Sequence, residues 1–300
     1  MDRYLQLRRA AGEKILQLEE LLKERVPELD LTVNPQEFGE SEKYSRIPNF
    51  IKNNIRYLKS QCNTVLPDYN KYILLKCLHT FSVDGGRYKL PASIVELYER
   101  EFSRILHQVD AFEGSFFDVG NDQYLKDLAI VSHRLIPVGA EFVEGGGGIP
   151  RRVIFAAGPR QLFRSLWFIV LRCGGFKPFF SLHTHTLALS DFDLEGWRAT
   201  YCRLAELLEL NPHVKGWLSS SWFLDPALES ISPHLSHLHK VPVENGGMLL
   251  FVCSDPTGSS GALSRSPTRR RLFAEGKYVP AIYMRIWPRR ALIDWHRRQT

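Results

Sequence analysis

The sequence lacks most of the features that settle a function by themselves. Its five cysteines, Cys62, Cys77, Cys173, Cys202 and Cys253, are odd in number, widely spaced and without a C-x-x-C. That excludes a zinc ribbon or a dithiol redox motif and fits reduced thiols in a cytoplasmic protein. No apolar run reaches the roughly 20 residues that cross a bilayer. The longest candidate, LFRSLWFIVLRCGGF, is broken by Arg164 and Arg172, so no membrane partner is expected. The opening MDRYLQLRRAAGEK has no continuous apolar centre of the signal-peptide kind. Internal repeats, low-complexity tracts, an H-E-x-x-H and a G-x-S-x-G elbow are also missing.

What is present suits a globular protein. Of the 300 residues, 44% are apolar and 24% charged, and that length buries a large core in one big domain or two modest ones. The net charge of +6 comes largely from the last forty residues, with Arg265, Arg269, Arg270, Arg271, Lys277 and Arg285 among them. A basic balance permits an anionic partner. Basic residues are not interleaved with aromatics in the manner of single-strand binders, so nucleic acid is not expected.

Hydrophobic spacing divides the chain near residue 110. Before it, RYLQLRRAAGEKILQLEELLKER, IPNFIKNNIRYLKSQC, DYNKYILLKCLHTF and PASIVELYEREFSRILHQV all carry helical periodicity. After it, DLAIVSHRLIPVGAEFVEGGGGIPRRVIFAAG reads as two strands joined by a glycine-rich tip. Helices and strands then alternate: GPRQLFRSLWFIVLRCGG as helix, FKPFFSLHTHT as strand, and a helix capped by Ser190 or Asp191. VKGWLSSSWFL, GGMLLFVCS and KYVPAIYMRIW follow as strands, with helices between and after them. The expected class is therefore α/β or α+β on a mixed central sheet, with residues 1–110 a helical N-terminal region and 111–300 a mixed domain.

Four motifs carry chemistry. Gly145 to Gly148 lie between apparent strands, so they read as a hairpin tip rather than as a phosphate cradle, which needs a helix start. His183 and His185 stand two apart in an apolar run, where a strand would put them on one face. They are candidates for general bases, since imidazole titrates near neutral pH, or for ligands of a metal such as Fe(II), with a third ligand from His213, His234, His237 or an acid. In SRSPTRRRLFAEGKY, Ser266 caps a helix whose first turn holds Arg269, Arg270 and Arg271. Cations there oppose the helix dipole, which an anion would relieve. In GWLSSSWFL, strand alternation sends Ser219 and Ser221 to one face and Ser220 and Trp222 to the other. Without an elbow these serines read as structural or substrate hydrogen-bonding groups.

Taken in order, SLHTHTLALSDFDLEGWRATYCRLAELL, SSSWFLDPAL, ISPHLSHLHKV and LSRSPTRRRLFAEGKY resemble the C-terminal domain of an acyltransferase family related to the GCN5-type N-acetyltransferases. The resemblance spans roughly Phe176 to Trp287. It implies acyl-CoA between two splayed central strands, FFSLHTH and VKGWLSSSWF, with its pyrophosphate on the amides of the following helix. It implies transfer of an acyl group to an amine of a small molecule or peptide. His183 or His185 would be the base, Tyr278 or Tyr283 the acid, and Arg265 with Arg269 to Arg271 the phosphate holders. Ser219, Ser221 and Trp222 would line the substrate. The R/Q-x-x-G-x-G/A loop of the better-known enzymes is absent: LALSDFDLEG carries acids instead. A sheet kept as a non-catalytic binding platform is the further alternative.

Overall fold

In the computed structural model, which describes residues 2–39, 43–187 and 189–299, α1 (Asp2–Arg25) runs along the first helical layer. It is followed by α2 (Pro35–Gly39), α3 (Asn49–Gln61), α4 (Leu66–Thr80), α5 (Ala92–Ala111) and α6 (Asp122–Val131). The periodicity that suggests these helices is the one they bury. On α5, Ile94, Leu97, Tyr98, Ile105, Leu106 and Val109 face inward. Phe81 closes that layer, its ring 4.7 Å from Tyr98 and 4.9 Å from Phe102.

The chain forms two units, Met1–Gly145 with Thr184–Ser190, and Gly146–His183 with Asp191–Thr300. The first therefore extends past residue 110. It takes in α6, where a strand was expected, because Asn121 caps the helix by accepting from Gln123 N–H at 2.9 Å and Leu128 to Val131 bury as helical turns. The hairpin is β1 (Leu135–Pro137) against β2 (Phe142–Gly147), antiparallel with Ile136 opposite Val143.

The glycine run is not the hairpin's tip but the end of its second strand. A Cβ on Gly145 would collide with the Tyr88 ring, and one on Gly147 with Ser181 Oγ and, at 2.9 Å, the Phe179 carbonyl. Glycine is needed here for close approach rather than for flexibility. RRVIF, also expected as strand, is instead helix α7 (Arg151–Phe155).

The second unit continues with α8 (Gly158–Trp167), extended by a π turn (Phe168–Arg172), then β3 (Phe179–His183), α9 (Leu194–Leu210) and β4 (Gly216–Ser221). After these come α10 (Leu228–Ile231), α11 (His237–Glu244), β5 (Met248–Ser254), α12 (Pro267–Ala274), β6 (Ala281–Pro288) and α13 (Arg289–Arg297). Its strands lie in the order β3-β4-β6-β5: the first pair is parallel, the others antiparallel. The class is thus mixed α/β. Phe179, Leu218, Leu250, Met284 and Ile286 form one apolar face with Phe168 and Ile169 of the π turn.

On the other face Arg285 is fully buried between Trp197, 4.3 Å away, and Trp217, 4.7 Å away. Such a cation survives burial because its donors are met. Nε donates to Ser219 Oγ at 2.8 Å and Nη1 to the Leu238 carbonyl at 2.6 Å. Tryptophan faces add cation–π attraction.

Candidate active site

The two histidines do not lie on one strand. β3 stops at His183, half-buried in the second unit, so strand alternation does not reach His185. His185 is completely buried in the first unit. Its Nδ1 accepts the Leu187 N–H at 3.3 Å, which leaves the proton on Nε2, donating to Asp127 Oδ1 at 3.0 Å. Arg104 Nη2 reaches the same Asp127 oxygen at 2.6 Å, and its Nε reaches Glu101 at 2.9 Å. Flanking residues are tied as well. Lys126 Nζ donates to the Thr184 carbonyl and Thr184 Oγ1 to Glu141, at 2.7 and 2.8 Å. With both ring nitrogens engaged and no exposed surface, His185 holds a segment in place.

Burial alone would raise the Asp127 carboxyl. The His185 hydrogen bond and the Arg104 guanidinium outweigh it and hold the group below the usual carboxylate range. Among the described residues no group of three or more His, Cys, Asp or Glu side chains is placed to hold a metal ion. The Fe(II) alternative therefore has no support. His239, one of the late histidines, pairs with Glu229 at 2.9 Å.

The arginines of α12 turn back on the loop before them. Ser266 caps the helix as expected, accepting from Arg269 N–H at 3.2 Å. Arg269 is buried, donating to the Ala262 carbonyl at 2.6 Å and Ser232 Oγ at 2.9 Å with its guanidinium over Trp222. Arg270 donates to the carbonyls of Leu263 and Ser264, both at 3.0 Å. The unfavourable cations at this helix start are thus offset by loop carbonyls. Arg265 and Arg271 are exposed.

At the end of β4 the chain builds a different cluster. Ser221 lies opposite Tyr283 in the β4–β6 ladder. Three residues on from Trp222, Asp225 is buried and accepts from Ala227 N–H at 3.0 Å and Ala281 N–H at 3.2 Å. Burial raises its carboxyl despite those bonds. Tyr278 is buried beside it, and both burial and the Asp225 carboxylate push the phenol up. Tyr283, half-buried, is raised by burial first and then by Asp225. It lines a groove of 370 Å³ with Arg160, Gln161, Arg164, Pro226 and Phe251. The signal in the sequence that could have found Asp225 is the Asp-Pro pair at the end of a serine-rich strand.

The central strands part at this end. β3 and β4 pair only at Phe180–Trp217 and Ser181–Leu218, whereas β4 continues against β6 as far as Ser221–Tyr283. At the start of α9, Asp193, rather than Ser190 or Asp191, is the cap. Its carboxylate accepts from Gly196 N–H at 2.8 Å. Gly196 is required there, since a Cβ would run into the Asp191 backbone.

Comparison with known proteins matched no family model and no curated protein. Three solved structures are similar. One is an acyltransferase in complex with CoA and 10C-teicoplanin, with 12% identity over 84% of this chain and 74% of that one and a TM-score of 0.45. Another is an acyltransferase with decanoyl-CoA and teicoplanin, at 11%, 95%, 99% and 0.40. The third is a mutant acyltransferase with octanoyl-CoA, at 13%, 96%, 100% and 0.39. At such identities and scores the likeness carries no argument about activity, which has to be read from the chain's own residues.

Proposed function

We propose that the second unit is a GCN5-related acyl-transfer domain that moves an acyl group from acyl-CoA, or a similar thioester, to an amine of a small molecule or peptide. The observation that carries this reading is the parting of β3 and β4 after Ser181 and Leu218. The gap that opens where two strands separate admits an extended ligand bearing amides, such as the pantetheine arm of CoA, lying along a strand edge in the way an added strand does. The carboxyl ends of parallel strands are also where ligands collect in α/β sheets.

The chemistry requires a base for the amine proton and an acid for the departing thiolate. The amine nitrogen forms a bond to the thioester carbon, the C–S bond breaks, and the sulfur takes a proton. His183, at the end of β3, is the candidate base. Tyr283 is the candidate acid, because its raised pKa keeps the phenol protonated at neutral pH. Arg160 and Arg164 lie on the groove that Tyr283 lines and are the candidates for phosphates, whereas Arg269 and Arg270 of α12 are occupied with their own loop.

A second reading, a binding platform without catalysis, draws on Asp193. Its carboxylate already caps the helix start where a pyrophosphate would be held. Titration calorimetry with CoA, acetyl-CoA and a medium-chain acyl-CoA, followed by thiol-release assays with amine acceptors, separates the two. Saturable binding with acceptor-dependent thiol release supports transfer. Binding without release across a broad amine panel favours the platform, and no binding of any CoA species sinks both in their CoA form.

A further inference from the structure

The helix that precedes β3 is apolar on two faces. Toward the sheet, Phe168 and Ile169 join the buried core, with Leu162 and Leu166 packed against it. The outward face is a second apolar stripe. Phe163, Trp167, Val170 and Leu171 recur at i, i+4, i+7 and i+8 along α8 and its π turn, and they are 70%, 57%, 57% and 65% exposed. Phe155, at the end of α7, is 60% exposed. Single exposed hydrophobics are ordinary, but these cluster in one short segment, and a clustered apolar face marks an interaction surface.

Along this stretch of the chain the charged side chains have one sign. Between Glu144 and Asp191 the sequence contains no Asp or Glu. Arg151, Arg152, Arg160, Arg164, Arg172 and Lys177 fall in that interval, and all are exposed. Such a face complements an anionic occupant with an apolar interior.

We propose that this face binds the surface of an anionic lipid bilayer. The aromatic and aliphatic stripe enters the boundary between headgroups and acyl chains, and Arg151, Arg152 and Arg172 meet lipid phosphates. Phe, Trp and Leu on one side of a helix with arginines flanking them is the composition of helices that lie in the membrane plane. Tryptophan favours the headgroup level, and guanidinium matches phosphate geometry. Among the described residues no helix is long and apolar enough to cross a membrane, so the protein would lie on the bilayer. The inference does not rest on acyl transfer, and its test uses lipid alone.

The experiment is sedimentation of the full chain with phosphatidylcholine vesicles, with and without phosphatidylglycerol. Binding is expected with phosphatidylglycerol and is expected to weaken with salt. Arg151→Ala with Arg152→Ala should weaken it at least about tenfold, and Phe163→Ser with Trp167→Ser should abolish it. All four residues are exposed, and near-UV circular dichroism checks that the variants stay folded. Trp167→Phe should keep binding while losing most of the blue shift in tryptophan emission that accompanies it. No sedimentation with phosphatidylglycerol vesicles overturns the proposal, as does binding unchanged by both double variants. Concentration-dependent self-association lost in Phe163→Ser with Trp167→Ser, without vesicle binding, would assign the face to a second copy of the chain and overturn it too.

Discussion

His185 Nε2 lies 3.0 Å from Asp127 Oδ1, and neither side chain has any exposed surface. Because Arg104 shares the same oxygen, the carboxylate is the hub of a buried ionic network. Asp127→Asn keeps the shape and removes the charge, which leaves Arg104 paired with Glu101 and bonded to Gln108. Breaking a buried pair in this way is expected to destabilise the first unit by about 3 kcal/mol. Denaturant unfolding at neutral pH measures it. The Asp127 carboxyl is held below its ordinary range. Its contribution is therefore present above roughly pH 4 and lost as pH falls through the lower folded value. The variant should lack that part of the acid limb. A variant as stable as the parent would remove the network from the account.

Gly147 lies so close to β3 that an added methyl group meets a backbone carbonyl, which cannot rotate away. Gly147→Ala should cost about 1–3 kcal/mol through overpacking, whereas alanine at Gly158, where nothing lies within 4 Å, meets no clash. Gly158 has φ of +77°, so its variant tests backbone strain alone. Comparing the two melting curves separates contact from conformation, and equal shifts would discount the close approach.

Much of the helical layer was legible because its spacing is unambiguous: α5 buries the residues its periodicity selects. The later strands were legible for the same reason, their ends set by proline or polar residues. The hairpin was misplaced because the end of α6, from Leu128 to Val131, is a short apolar run, which periodicity alone cannot assign to helix or strand. The glycines misled because their purpose depends on Tyr88 and Ser181, distant in sequence. The same holds for the site. His183 and His185 look equivalent in the sequence, yet one ends a strand and the other is sealed against Asp127. Arg269 looks like an anion ligand until Ala262 and Ser232 are seen to hold it.

His133 adopts φ of +61° and stacks on Phe81, with ring centroids 4.0 Å apart and planes at 19°. Burial lowers its pKa to about 4 from the ordinary 6.5. Between those values the unfolded chain binds a proton that the folded protein refuses. Unfolding free energy should therefore decline as pH is lowered from about 6.5 to about 4 and level off below that. His133→Phe keeps the stack and removes the titration. Urea midpoints at pH 7 and pH 5 should then converge in the variant, and a gap as large as the parent's would place the acid sensitivity elsewhere.

Tyr283 and His183 have distinct signatures if the second unit transfers acyl groups. Tyr283→Phe removes the proton donor for the thiolate while keeping the ring against Phe251. Its kcat should drop by about a hundredfold with KM little changed, because the hydroxyl acts after substrate is bound. An acid must be protonated to work, and Tyr283 is raised above its ordinary value near 10. The parent's alkaline limb should accordingly lie above pH 10, and the variant should lose it. His183→Ala should lower kcat while leaving the alkaline limb in place. The decisive measurement is the pH profile of thiol release for the three proteins. A Tyr283→Phe enzyme with kcat within twofold of the parent removes the tyrosine from the acid's role, whatever the fate of His183.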